Sequence, residues 1–326
     1  MNGTESEISP EVLPVKNSAE RLLENIGKVI VGKREAIELI LAALFCEGHV
    51  LIEDVPGIGK TMLARAVARS LGLSFKRIQS TPDLLPSDVT GIHYFNQKTS
   101  EFEFRPGPIM ANIVLVDEIN RATPRTQSCL LECMQEQQVT VDLETVPLPR
   151  PFLIMATQNP IELEGTFPLP EAQLDRFLLK LSLGYPATRD EEGEILSRFQ
   201  QSNPLESLAS VIGGEELLEL QKLCRRVYVD ASVRDYITAI TWATRSHASI
   251  KLGASPRASL GLHLASQSLA AIRGRNFVVP DDVKSLAVPV LAHRMISKTE
   301  ARLRGKSLES IVREILAAVP VPVENQ

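Results

Sequence analysis

The chain changes its hydrophobic rhythm twice. After a polar opening, helical periodicity begins near Ala19. From Lys33 to Glu47 apolar residues recur at Ile37, Ile40, Leu41 and Leu44, one stripe of an amphipathic helix that Gly48 ends. The pattern then alternates. Short apolar runs at His49–Glu53, Ser74–Gln79, Ile113–Val116, Phe152–Thr157 and Leu178–Leu183 predict strands. Ile113–Val116 holds only β-branched residues and Leu, as suits a strand buried on both faces. Between the runs, Lys60–Leu71 places Leu63, Val67 and Leu71 on one helical face, and Pro124 opens a helix running to about Glu136. Five strands with helical crossovers predict an α/β fold with a mainly parallel, doubly wound sheet.

After Pro186 the rhythm becomes helical through to about Val319, with helices expected at Asp190–Gln200, Glu215–Cys224, Ser232–His247, Arg257–Ile272 and Asp281–Met295. The expected division is a loose tail over 1–18, an α/β core over 19–187 and an all-α domain over 188–326. Two segments interrupt the core. Residues 83–108 hold Tyr94, Phe95, Phe102 and Phe104 around a hairpin-like part, most simply aromatics that pack the hairpin. Residues 138–149 alternate Val139, Val141 and Leu143 before turning proline-rich, and read as a second hairpin.

Composition narrows the classes. At 326 residues, 44% hydrophobic and 23% charged, the chain is an ordinary globular protein of about two domains. The 35 Lys and Arg against 40 Asp and Glu leave a net charge of -5, which argues against a broad nucleic-acid footprint. No apolar run is long enough for a membrane span, and the first residues lack a secretory pattern. Cys46, Cys129, Cys133 and Cys224 lie in apolar, helix-like segments without a CxxC pair. They are expected to be buried reduced thiols, consistent with a cytoplasmic protein. Cys129 and Cys133 share a helix face but have no His-rich neighbour, so no metal site is assigned there. His93 and His247 are given no role.

The chemistry begins in Glu53–Thr61, between a strand and a helix. Gly57 and Gly59 permit the dihedrals that turn N–H groups toward phosphate oxygens, and the helix opening at Lys60 points its positive end at the same anion. Lys60 would reach the β and γ phosphates, and the Thr61 hydroxyl would bind Mg²⁺. Pro56, Gly57, Ile58, Gly59, Lys60, Thr61 and Met62 are the expected nucleotide contacts. The loop departs from the full pattern at Asp54, where Gly is usual.

Asp117 and Glu118 end the strand beginning at Ile113. Strand ends line the ligand crevice of a parallel sheet, so Asp117 suits the Mg²⁺ shell and Glu118 suits a base for the attacking water. Asn159, just past another strand, can contact the γ phosphate and orient water. Arg176 is a candidate finger for a neighbouring γ phosphate. Arg257 stands in the first turn of a helix, where a cation opposes the helix dipole unless a phosphate offsets it.

In order and spacing these strings resemble the MoxR family of AAA+ ATPases from Val29 to about Met295. The supporting residues are Val31-Gly32-Lys33, Glu53–Thr61, Asp117–Ala122, Thr157–Pro160, Pro168–Phe177 and Ser255–Leu260. The family often carries an acidic residue at the position of Asp54. The resemblance implies a Rossmann-like αβα core with a helical lid, in which Lys60 and Thr61 form Walker A and Asp117 and Glu118 form Walker B. Asn159 would be sensor 1, Arg176 the finger acting in trans, Arg257 sensor 2, and Ile30, Val31 and Gly32 the loop packing on adenine. It also implies ATP and ADP as ligands with Mg²⁺, a homo-oligomeric ring (usually a hexamer), and chaperone-like remodelling of a protein client. A von Willebrand factor A domain protein is a common partner. Three other readings stay open: a nucleotide-gated binding module, a magnesium-chelatase-type motor and a helicase-like motor. A guanine-reading Asn-Lys-x-Asp string is absent.

Overall fold

The computed structural model describes residues 9–142, 144–161, 164–200 and 203–322. The five runs form one parallel sheet: β1 (Val50–Glu53), β2 (Phe75–Gln79), β3 (Ile113–Asp117), β4 (Leu153–Gln158) and β5 (Leu179–Leu181), in the order β2-β3-β4-β1-β5. Register levels their ends. Gln79 lies opposite Asp117 and Glu53 opposite Gln158, so the segments leaving β1, β2, β3 and β4 emerge at one edge.

Alternation divides the sheet's side chains between two cores. Val50, Ile52, Ile113, Leu115, Leu153 and Met155 face one, while Leu51, Val114, Val116, Ile154 and Ala156 face the other. The second core is closed by the helix Pro124–Glu136 and by Val89 of the short helix Pro86–Thr90. The first takes in the helices Leu13–Gly27, Arg34–Phe45 and Lys60–Ser70. It also runs without a break into Gly214–Cys224, Ala231–Ser246, Pro256–Ile272, Pro280–Leu291 and Leu308–Ala318. The helices after β5 therefore share a core with the N-terminal ones.

Two expectations need correction. The tail does not extend to residue 18: a helix starts at Leu13, with Val12, Val15 and Ser18 buried. Pro14 stands in that helix's first turn, where proline's missing N–H costs nothing. The stretch after Pro186 is not purely helical, because Ile250–Leu252 pairs antiparallel with Ile296–Ser297. Strands of two or three residues show no readable period.

Both interruptions contain hairpins. Gly91–Asn96 pairs with Glu101–Pro106, and Gln138–Val141 with Glu144–Pro147; Leu143 falls outside the described residues. Phe95 and Phe102 meet edge to face at 5.4 Å, yet both are exposed, so they pack on each other rather than on a core. His93, without an assigned role, joins the hairpins: Nδ1 lies 3.0 Å from Asp142 Oδ2. The four cysteines are free, and burial pushes the thiols of Cys46 and Cys224 up to about 12. Among the described residues no helix is long and apolar enough to cross a membrane.

Candidate active site

Sequence and register bring the site together at the strand ends. β1 runs into a loop whose Gly57 and Gly59 have φ of 84° and 88°, a region that disfavours side chains. Gly59 precedes the helix Lys60–Ser70, which has no side-chain cap, so its first N–H groups remain available to an anion. Lys60 Nζ donates to the carbonyl of Asp54 at 2.8 Å. Burial lowers the Lys60 pKa, and the carboxylates of Asp54, Asp117 and Glu118 oppose that shift.

A cavity of about 310 Å³ lies over this loop. Pro56, Gly57, Gly59, Lys60, Thr61, Met62, Asp117, Glu118 and Asn159 line it together with Arg77. Asn159 is buried, and its Oδ1 accepts the N–H of Ile161 at 3.1 Å. Glu118 has φ of 54°, a left-handed backbone that costs a non-glycine residue energy and that clusters at functional sites.

Three residues that contact the acidic pair went unread in the sequence. The Thr157 hydroxyl donates to Asp117 Oδ1 at 2.6 Å and accepts the backbone N–H of Glu118 at 2.8 Å, tying β4 to the carboxylates. Arg77 holds Asp117 Oδ2 through Nη2 at 2.7 Å and Nε at 3.1 Å. Gln79 donates to Glu118 Oε2 at 3.3 Å. The only signal was that Arg77 and Gln79 lie on β2, which pairs with β3.

Beyond the loop, a second cavity of about 480 Å³ shares Pro56, Gly57, Gly59 and Met62 with the first and adds Ile58. Its other walls are Val29, Ile30, Val31 and Lys33 before the helix Arg34–Phe45, Gly184–Pro186 after β5, and Glu192, Ile195, Leu196 and Phe199 of the helix Arg189–Phe199. Gly32 turns this wall with φ of 70°. A Cβ there would meet the Glu191 carboxyl at 2.4 Å. A polar cavity with a lysine and two carboxylates thus adjoins an apolar one across a glycine loop, the polarity profile of a nucleotide. The hydroxyl of Thr61 and the carboxylate of Asp117 in one cavity are the hard oxygen donors that Mg²⁺ prefers.

Arg176 and Arg257 line neither cavity. Asp175, next to Arg176, lies 3.6 Å from Arg257 and accepts from Ser255, which precedes the helix carrying Arg257. Arg294, almost fully buried, grips the same carboxylate: Nε donates to Asp175 Oδ1 at 2.9 Å. Burial lowers the pKa of Arg294 to about 10, against the pull of Asp175.

Comparison with known proteins agrees with this geometry. The model of the ATPase family associated with various cellular activities (AAA) matches residues 49–179, and the AAA lid domain model matches residues 242–315. Chaperone MoxR1 of Mycobacterium tuberculosis is 42% identical, the match covering 95% of this chain and 84% of that protein.

The chain belongs to the MoxR family of AAA ATPases.

YeaC of Bacillus subtilis is 55% identical over 94% of this chain and 95% of its own. A crystal structure from Cytophaga hutchinsonii is 38% identical with a TM-score of 0.90, covering 96% of this chain and 97% of that one. The α/β AAA core with its five-stranded parallel sheet, followed by a helical lid, is therefore the MoxR arrangement in this chain. Family membership implies nucleotide binding and ATP hydrolysis.

Proposed function

We propose that this chain is a Mg²⁺-dependent ATPase that assembles as a ring and uses hydrolysis to remodel a protein client. The observation carrying this reading is the separation of its chemical parts. Lys60, Thr61, Asp117, Glu118 and Asn159 line one cavity, while Arg176 and Arg257 lie outside it. Among the described residues the Arg176 side chain has no ion-pair partner. A half-buried guanidinium with no ion-pair partner among the described residues is suited to an anion on another molecule.

The roles follow from position. The free N–H groups before and within the first turn of Lys60–Ser70 cradle the β phosphate, and Lys60 leaves the Asp54 carbonyl for the phosphate oxygens. Thr61 and Asp117 hold Mg²⁺, which neutralises phosphate charge when bound. The Glu118 carboxylate, oriented by Gln79 and Arg121, takes the proton of the attacking water, and Asn159 orients that water. Arg176 of an adjoining subunit stabilises the charge that builds in the transition state, and Arg257 serves as sensor 2. The base packs against Ile30, Val31 and the Gly32 turn.

Similarity to a protein named Chaperone MoxR1 supports a client-remodelling role, and the von Willebrand factor A domain partner is carried over from the family resemblance alone. The test pairs two variants. Lys60→Ala weakens ATP binding, and Glu118→Gln keeps binding while losing turnover. Full turnover in Glu118→Gln would remove Glu118 as the base. Tight ATP binding with no wild-type turnover, even with the partner present, would favour a nucleotide-gated binding module.

A further inference from the structure

Asp54 stands where phosphate loops usually have glycine, and the structure gives its carboxylate a task. Oδ2 accepts three hydrogen bonds from the segment leaving β5: from Ser182 Oγ at 2.8 Å, from the Leu183 N–H at 2.7 Å and from the Gly184 N–H at 2.7 Å. Oδ1 accepts the N–H of Val55 at 2.9 Å. The backbone works as well: its N–H donates to the carbonyl of Gln158, beside Asn159, at 3.1 Å, and its carbonyl receives Lys60. Burial pushes the Asp54 carboxyl up, but the hydrogen bonds outweigh it and hold the group below its ordinary value, so it is ionised at neutral pH. Hydrogen bonds to an ionised acceptor are about twice as strong as neutral ones.

The segment that Asp54 grips is also a wall of the apolar cavity. Gly184 takes φ of 64°, and Gly184, Tyr185 and Pro186 line that cavity. Lys33, which also lines the cavity, donates to the Tyr185 carbonyl at 2.7 Å. One residue therefore touches the lysine of the phosphate cavity and the backbone of the base cavity.

We infer that Asp54 is a positioning residue that couples the phosphate subsite to the base subsite, so that filling either one favours filling the other. The inference rests on the nucleotide reading of the site. Phosphate draws the Lys60 ammonium off the Asp54 carbonyl and settles the loop. The carboxylate carries that settling to residues 182–184 and thus to the wall against which the base packs. A static anchor would hold the same atoms but would leave the two affinities independent.

The test uses the two halves of the ligand separately. Adenosine is titrated calorimetrically into the full chain in magnesium buffer, with and without saturating tripolyphosphate. The reciprocal titration is then run, since linkage must be equal in both directions. In the wild type, tripolyphosphate tightens adenosine binding by about fivefold or more, the lower end of ordinary coupling. Asp54→Ala reduces that factor to less than about twofold, and Ser182→Ala, which leaves both backbone donors in place, gives an intermediate factor. Because Ser182→Ala removes one hydroxyl only, it answers the question even if Asp54→Ala does not fold. An unchanged coupling factor in the variants, or no coupling in the wild type, overturns the inference while leaving the nucleotide site intact. Failure of the wild type to bind either probe or ATP would instead overturn the nucleotide site itself, and the inference with it.

Discussion

Replacing Arg294 with Met tests whether the buried guanidinium holds the lid against the sheet. The side chain is 2% exposed and reaches both units. It donates to Asp175 Oδ1 at 2.9 Å, to the carbonyls of Phe177 at 2.6 Å and Leu178 at 2.9 Å beside β5, and to that of Val290 in the helix Pro280–Leu291. Met fills much of the volume but offers no donor. Breaking a buried charge pair costs about 3–5 kcal/mol, because the remaining carboxylate and carbonyls stay desolvated. With an unfolding entropy of about 2.1 cal/mol/K per residue, a cooperative unit of 326 residues loses about 6 °C of Tm for about 4 kcal/mol. Scanning calorimetry of Arg294→Met beside Arg257→Ala provides the comparison. Arg257 is half-exposed and meets Asp175 at only 3.6 Å, so its loss costs less than about 1 kcal/mol. A Tm for Arg294→Met within about 2 °C of wild type would refute the reasoning. So would an equally large fall in Arg257→Ala.

Two further outcomes follow from single residues. Thr157→Val removes the hydroxyl shared by Asp117 and the Glu118 N–H; we expect ATP turnover to fall about tenfold or more with ATP affinity within about twofold, and unchanged kcat would remove Thr157 from the positioning of the carboxylates. His49 is buried between the Met134 carbonyl and the Ile154 N–H, and burial lowers its pKa to about 4. Native His49 therefore stays neutral while the unfolded chain takes up a proton below its ordinary value near 6.5. Its contribution is fully present above pH 6.5 and is lost as pH falls toward 4, about 2.5 kcal/mol by pH 4.5. Urea unfolding at pH 7 and 4.5 should show that loss in the wild type and a smaller one in His49→Gln. Equal acid sensitivity of the two would contradict it.

What the sequence disclosed and what it withheld divide along physical lines. Lys60, Asp117, Glu118 and Asn159 were legible because each ends or follows a strand whose apolar run is unmistakable, and parallel strands end on the same edge. The helix Pro124–Glu136 was legible from its proline start. Arg77, Gln79 and Thr157 were not, because their roles arise from lateral register between strands far apart in sequence. The helix starting at Leu13 was hidden because Pro14 is equally at home in a tail and in a helix's first turn. The seating of Arg257 against Asp175 was also hidden: Asp175 meets Ser255 and Arg294 as well, contacts between residues about 80 and 119 positions apart.

The central claim is that each ATP site is completed by another copy of the chain, and subunit mixing tests it most directly. Glu118→Gln lacks the base but keeps Arg176, and Arg176→Ala lacks the guanidinium but keeps the base. Each variant alone should be nearly inactive. Mixed one to one under exchange conditions, they should recover about a quarter of wild-type turnover, the fraction of random interfaces that pair an intact Glu118 with an intact Arg176. A mixture no more active than the separate variants, or an Arg176→Ala protein as active as wild type, would contradict the account.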